Sequence, residues 1–276
     1  MLQANVDGDL KKFIIELRNV CRSKFGYTVF KDFLVLVACA ISNAVDKNHY
    51  KEREELYLNT VKNYERQEVE EMAALFAKLT LLMQKCSEAG FLDDVLGTVY
   101  TQGKFYSAHL SQFFTPYHIA NFMAKIHTSD LKNNEAYQKY GLLKVSEPTC
   151  GSGIMVLQLC QELREEGINY QNSVFVEAWD VDMVCSLMAY IQFALYGIPA
   201  IVVHGNSITQ ERYSIWYTPR LFMNDFVTKL RIREQIELIT AILNQEKEEI
   251  IVKNTALPMF SQSQKNNIKI EELTLF

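Results

Sequence analysis

The sequence predicts an α/β protein in which an open sheet stands behind a helical N-terminal region. Three observations predict it. A glycine turn at Gly151-Ser-Gly153 joins a short apolar strand to a helix. Two further apolar segments, 173–180 and 200–204, each end in polar residues and are separated by a segment of helical period. The first ninety residues, by contrast, carry only helical periodicity. Residues 1–110 therefore form a helical region and 111–276 the α/β core, which continues into a helical C-terminal end.

The helical region divides into four segments. Leu10, Phe13, Ile14, Leu17 and Val20 are spaced as one helical face within 8–24, and 30–45 is more apolar, with 33–41 almost continuous. Residues 50–64 carry a solvated run from Lys51 to Glu55. In 68–86, Met72, Leu75, Phe76, Leu79, Leu82 and Met83 form one stripe, which is core rather than a binding face. Residues 91–100 read as a short helix with an acidic first turn. At Gln112-Phe-Phe-Thr-Pro-Tyr-His118, Pro116 suits the first position of a helix, with Thr115 as its cap and Ile119, Phe122, Met123 and Ile126 as its buried face.

In the core, the strand from Leu142 to Val145 is followed at once by Glu147, and then by the turn. Met155, Val156, Leu157, Leu159 and Leu163 give the next helix its apolar face. The strand at 173–180 ends in Asp180; Asp182, two residues on, suits the cap of a helix through Val184, Leu187, Tyr190, Ile191 and Ala194. A turn at 196–199 leads to the strand 200–204, which ends in Gly205-Asn-Ser-Ile208. Beyond it, Tyr217-Thr-Pro219 reads as a turn in which Pro219 opens a helix, and a charged helical stretch runs from 221 to 249. Residues 250–252 form one possible strand. The polar run 261–267 reads as a flexible end, and 268–276 could dock as an added strand.

Composition excludes several classes. A net charge of −5 argues against a uniformly basic nucleic-acid binder but leaves room for a local basic groove. The six cysteines contain no C-x-x-C pair and no secretory leader precedes them, so they read as reduced thiols of a cytoplasmic protein. No apolar run reads as long enough to span a bilayer, which argues against a membrane partner, and the five histidines lack metal-ligand spacing, so no metal is expected. The turn is neither G-x-G-x-x-G nor a lysine-bearing P-loop, which makes nucleotide phosphates a poor ligand. A carboxylate at a strand end beside amides at a helix N-terminus suits a ligand with hydroxyls or an amino group at one end and a carboxylate at the other.

Glu147-Pro-Thr-Cys-Gly-Ser-Gly153 resembles the D-P-A-C-G-S-G signature of S-adenosylmethionine-dependent DNA adenine-N6 methyltransferases, in particular the modification subunits of type I restriction systems. Phe91 to Tyr100 resembles the D-x-L-G-x-x-Y-E segment of the same enzymes, with Thr101 in place of the glutamate. The Gln112-Phe-Phe-Thr-Pro116 segment resembles the one that closes over the methionine end of the cofactor. Asp180 matches the acidic residue that accepts the ribose hydroxyls. Gly205-Asn-Ser-Ile208 is similar to G-D-S-L, whose acid contacts the adenine; here Asn206 replaces it, and an amide can still accept from the exocyclic amine.

The resemblance spans residues 90 to 208 and implies a Rossmann-like S-adenosyl-L-methionine-dependent methyltransferase core. It implies a cofactor site made of Thr115, Pro116, Glu147, Pro148, Cys150, Gly151, Gly153, Asp180, Asn206 and Ser207, with Cys150 a small buried filler and not a nucleophile. DNA is the implied substrate. The family's N-P-P-F/Y motif, which holds and stacks on the flipped target base, has no counterpart: Tyr217-Thr-Pro219 has the wrong order and lacks the amide or carboxylate. Catalytic residues are therefore unassigned. The residues after the third strand are too few for a full seven-stranded sheet, so a truncated sheet is expected. Two readings follow: a cofactor-binding half whose catalytic and target-recognition parts lie on a protein partner, or an inactive homologue serving as a partner or regulatory subunit in restriction-modification or anti-restriction.

Overall fold

The computed structural model describes residues 4–106, 114–133, 135–223 and, past these, 226, 228, 230–236, 238 and 239. The chain divides into two compact units, 1–229 and 230–276. The described residues of the second are helical. The expected strands at 250–252 and 268–276, the flexible run 261–267, and Gln112 and Phe113 lie outside the described residues.

Four helices open the first unit: α1 (Ala4–Asn19), α2 (Gly26–Val45), α3 (Tyr50–Val61) and α4 (Arg66–Glu88). The apolar spacing predicted for α1 and α4 brings Leu10, Phe13 and Leu17 into one core with Met72, Leu75 and Leu79. α2 corrects an expectation: its 20 residues are, by length and composition alone, long and apolar enough to cross a membrane. The helix runs on through the Ser42-Asn43 pair that closes the apolar run in the sequence. Val29, Phe30, Phe33 and Leu34 are nonetheless buried in the protein core, and the helix packs on α3 and α10.

Next come α5 (Val95–Gln102), α6 (Tyr117–Thr128), a 3-10 turn (Leu131–Asn133) and α7 (Glu135–Tyr140). The start and the face of α6 both differ from expectation. Pro116, with extended backbone at φ −62° and ψ 143°, is the cap residue, Tyr117 opens the helix, and no side chain caps it, so Thr115 does not play that part. The buried residues are Ala120 and Ala124, while Ile119, Phe122 and Ile126 are exposed. Two small side chains one turn apart let α6 approach α8 closely, and the bulky residues are left outside.

The core then runs β1 (Leu143–Glu147), α8 (Ile154–Glu165), α9 (Tyr170–Ser173), β2 (Val174–Asp180), α10 (Met183–Leu195), β3 (Ala200–Asn206) and β4 (Glu211–Tyr217), closed by a 3-10 turn (Pro219–Phe222) with proline in its first turn as expected. Among the described residues the sheet has four strands in the order β1-β2-β3-β4; the first three are parallel and β4 returns antiparallel to β3. The sheet is Rossmann-like in its strand–helix–strand steps. Val176, Ala178, Ala200 and Val202 are fully buried on one face beneath α10, and Trp216 of β4 pairs with Val202 on that face.

β4 was not expected as a strand, although Tyr213, Ile215, Trp216 and Tyr217 are strand-favouring residues. Its place is fixed by Arg53 of α3, which is only 2% exposed. The guanidinium lies 3.6 Å from the centre of the Trp216 ring, and Nη2 donates to the Ile215 carbonyl at 2.7 Å. No sequence pattern in α3 distinguishes this arginine from its solvated neighbours.

Candidate cofactor site

The site is built where β1, β2 and β3 end. The amide of Cys150 donates to the Trp179 carbonyl at 2.7 Å and ties the glycine turn to β2. Gly151 and Gly153 both have positive φ, +55° and +101°. They serve different needs. A side-chain carbon on Gly153 would lie 2.6 Å from the Phe193 ring, so glycine there lets the start of α8 pack on α10. One on Gly151 would meet only the Phe114 ring, at an ordinary 3.4 Å, so that position is demanded by the backbone angle and keeps its surroundings open.

Asp180 closes the turn from the end of β2. Its Oδ2 accepts from the Gly151 amide at 2.9 Å and its Oδ1 from the Asp182 amide at 2.8 Å. Each oxygen retains a lone pair. Burial raises the pKa of this carboxyl above the ordinary 3.8, against the two amide bonds that lower it. Asp182 itself caps α10, accepting from the Val184 amide at 2.7 Å as expected.

Asn206 stands at the end of β3, but its Oδ1 already accepts from the amides of Ile208 and Thr209, at 3.0 and 3.2 Å. Both lone pairs of this oxygen thus hold the turn after β3. Ser207 lies in that turn, its carbonyl accepting from Gln210 Nε2.

The other expected residues separate into two groups. Thr115 and Pro116 line a cavity of about 340 Å3 with Asp93, Asp94, Thr98, Phe114 and Ile154, on the α5 side of the turn. Glu147 lines another, of about 290 Å3, with Val145, Thr128, Met155 and Leu159. Its Oε1 accepts from the Thr149 amide at 3.3 Å, and Pro148 between them is exposed. Cys150 is buried, and burial pushes its thiol well above the ordinary range, which suits a filler and not a nucleophile.

Some residues beside the candidate site were not anticipated. Val181 and Ile208 are 65% and 93% exposed, large apolar side chains following the polar ends of β2 and β3. Their signal was their place just after Asp180 and Asn206. Ser152 is fully buried, and its hydroxyl donates to Asp94 Oδ2 at 2.5 Å. Gln192, also fully buried, donates from Nε2 to both the Ser152 carbonyl and Asp94 Oδ1, each at 2.8 Å. A polar residue amid the apolar run of α10 was the available clue to Gln192. Among the described residues no cluster of three histidine, cysteine or acidic side chains could hold a metal ion.

Residues 92–273 match the family model described as N-6 DNA Methylase. Among solved structures, a Listeria monocytogenes protein assigned to the class I S-adenosylmethionine-dependent methyltransferases is similar, with 14% identity and a TM-score of 0.38. The match covers 71% of this chain and 50% of that one, so the chain spans half the length of that protein. No curated protein matches.

Proposed function

We propose that this chain, which belongs to the N-6 DNA methylase family, binds S-adenosyl-L-methionine, the cofactor of that family, across the ends of β1, β2 and β3. The observation that carries this reading is the open Gly151 turn joined at 2.9 Å to the Asp180 carboxylate. The residues present fit the cofactor. Asp180 has a spare lone pair on each oxygen for the two ribose hydroxyls, and Gly151 leaves room for backbone to approach a ligand. Val181 and Ile208 offer apolar contact to the adenine faces, Asn206 offers its amide N–H to the ring edge, and Thr115 and Pro116 stand toward the methionine end, with Glu147 at the opposite margin. When bound, the cofactor supplies an electrophilic methyl group. This chain's residues bind and orient it.

The substrate we propose is adenine N6 in DNA, with methyl transfer completed by groups outside these 276 residues. They contain no N-P-P-F/Y or D-P-P-Y segment to hold the target amine. A protein partner supplying that segment and the target recognition accounts for a retained cofactor crevice without it. Six free, buried thiols suit a reducing compartment such as the cytoplasm.

The test is calorimetric titration with S-adenosylmethionine. Binding is expected, and Asp180→Ala should weaken it by about 1–3 kcal/mol, the cost of leaving ribose hydroxyls unpaired in a desolvated site. A wild-type protein that gives neither heat nor a thermal shift at high cofactor would sink the reading.

A further inference from the structure

The glycine turn is held from behind by a buried polar network that belongs to neither of the strands it connects. Asp94 caps α5 through the Gly97 amide (2.9 Å) and accepts from the Ser152 hydroxyl with its other oxygen. Gln192 of α10 sits at the centre: Nε2 reaches both Asp94 and the Ser152 carbonyl, while Oε1 accepts from the Leu96 amide at 3.0 Å. Four donors and their acceptors are thereby satisfied among α5, the turn and α10, with Ser152 and Gln192 fully buried. Gly97 is required by the same arrangement, because a side-chain carbon there would fall on the Asp94 carboxylate.

We infer that Asp94, Ser152 and Gln192 are positioning residues, which hold the turn in its left-handed Gly151 and Gly153 conformation so that its open side is preformed for the ligand. The inference rests on the proposed cofactor reading for the ligand's identity, and on the hydrogen bonds alone for the positioning. A turn with two positive-φ residues has many alternative conformations when untied, and binding would then require one to be selected. The network acts through Ser152, one residue from Gly151, whose own amide is held on the opposite side by Asp180.

The full chain, without ligand, is compared as wild type, Ser152→Ala, Asp94→Ala, Asp94→Asn and the Asp94→Ala/Ser152→Ala double variant. Amide hydrogen exchange is read over the turn, S-adenosylmethionine titrations by calorimetry, and thermal unfolding serves as a check on the fold. Ser152→Ala and Asp94→Ala should each accelerate exchange at 150–153 and weaken cofactor binding by about tenfold or more, as expected for losing a buried hydrogen bond. The double variant should be little worse than Asp94→Ala alone, because that substitution already removes the side-chain bond that Ser152→Ala removes. Asp94→Asn should recover most of the affinity, since the serine hydroxyl can turn to accept from the new amide.

Unchanged exchange over the turn in Ser152→Ala, the variant that preserves most of the packing, overturns the inference whatever the titrations give. Additive losses in the double variant overturn it too. Accelerated exchange with no cofactor binding by the wild type supports the positioning while removing the cofactor reading, so the two failures are separable.

Discussion

Asp180 has two tasks whose demands differ. As an acceptor from the Gly151 and Asp182 amides it is part of the fold, and as a proposed acceptor of ribose hydroxyls it must be ionised to act well. Burial raises its pKa, so the folded protein binds this proton more readily than the unfolded chain. The stability it contributes is therefore fully present below the ordinary 3.8 and is lost as pH rises through the folded value. Cofactor affinity should run the other way, weakening on acidification at a pH above 3.8, and Asp180→Asn should flatten that limb of the profile. Titrations from neutral pH downward in both proteins check this; an identical pH dependence in the variant would assign the limb to another group. The two glycines make a second contrast. Gly153→Ala should destabilise by about 1–3 kcal/mol because the methyl meets the Phe193 ring at positive φ. Gly151→Val should cost cofactor binding first, and the comparison of thermal unfolding with calorimetry separates the two.

At the scale of elements, α6 shows how helix packing follows side-chain size as well as hydrophobicity. Ala124→Leu should destabilise the protein by about 1–3 kcal/mol through overpacking against α8, whereas Phe122→Ser, on the exposed side, should stay within roughly 0.5 kcal/mol. Denaturant unfolding of both variants decides, and the reverse ranking would restore the face that hydrophobicity alone selects. The elements legible in the sequence were those with a regular apolar pattern, namely α1, α2, α4, α8, α10 and the three parallel strands. α6 was legible as a helix but not in its orientation, because the close approach depends on α8, far along the chain. β4 was hidden because its pairing with β3 and the cover provided by Arg53 are long-range. The polar ends of β1, β2 and β3 that frame the candidate site were legible as strand ends. The network of Asp94, Ser152 and Gln192 was not, because its members come from three segments that only the fold brings together.

On the scale of the whole molecule, the crevice and the reaction have to be considered separately. A bound cofactor with an activated methyl group transfers it only to an acceptor held in line, and these 276 residues contain no N-P-P-F/Y or D-P-P-Y segment, the one proposed above to hold the adenine amine. Losing preorganised polar groups of that kind costs roughly 10²–10³-fold or more in rate. The chain alone should therefore bind S-adenosylmethionine without methylating DNA at a measurable rate, and activity should appear on adding extract that contains a partner bearing the missing segment. The measurement is transfer of a tritiated methyl group to mixed double-stranded DNA, by pure protein and then by protein with extract. Asp180→Ala serves as the control, since activity that depends on this chain's crevice must fall with that substitution. Robust incorporation by the pure protein would mean that a substitute for the target-base segment lies within the chain. In that case Tyr217-Thr-Pro219, whose tyrosine ring stacks at 5.7 Å on His49 and whose threonine is fully buried, would be the first segment to change by mutation.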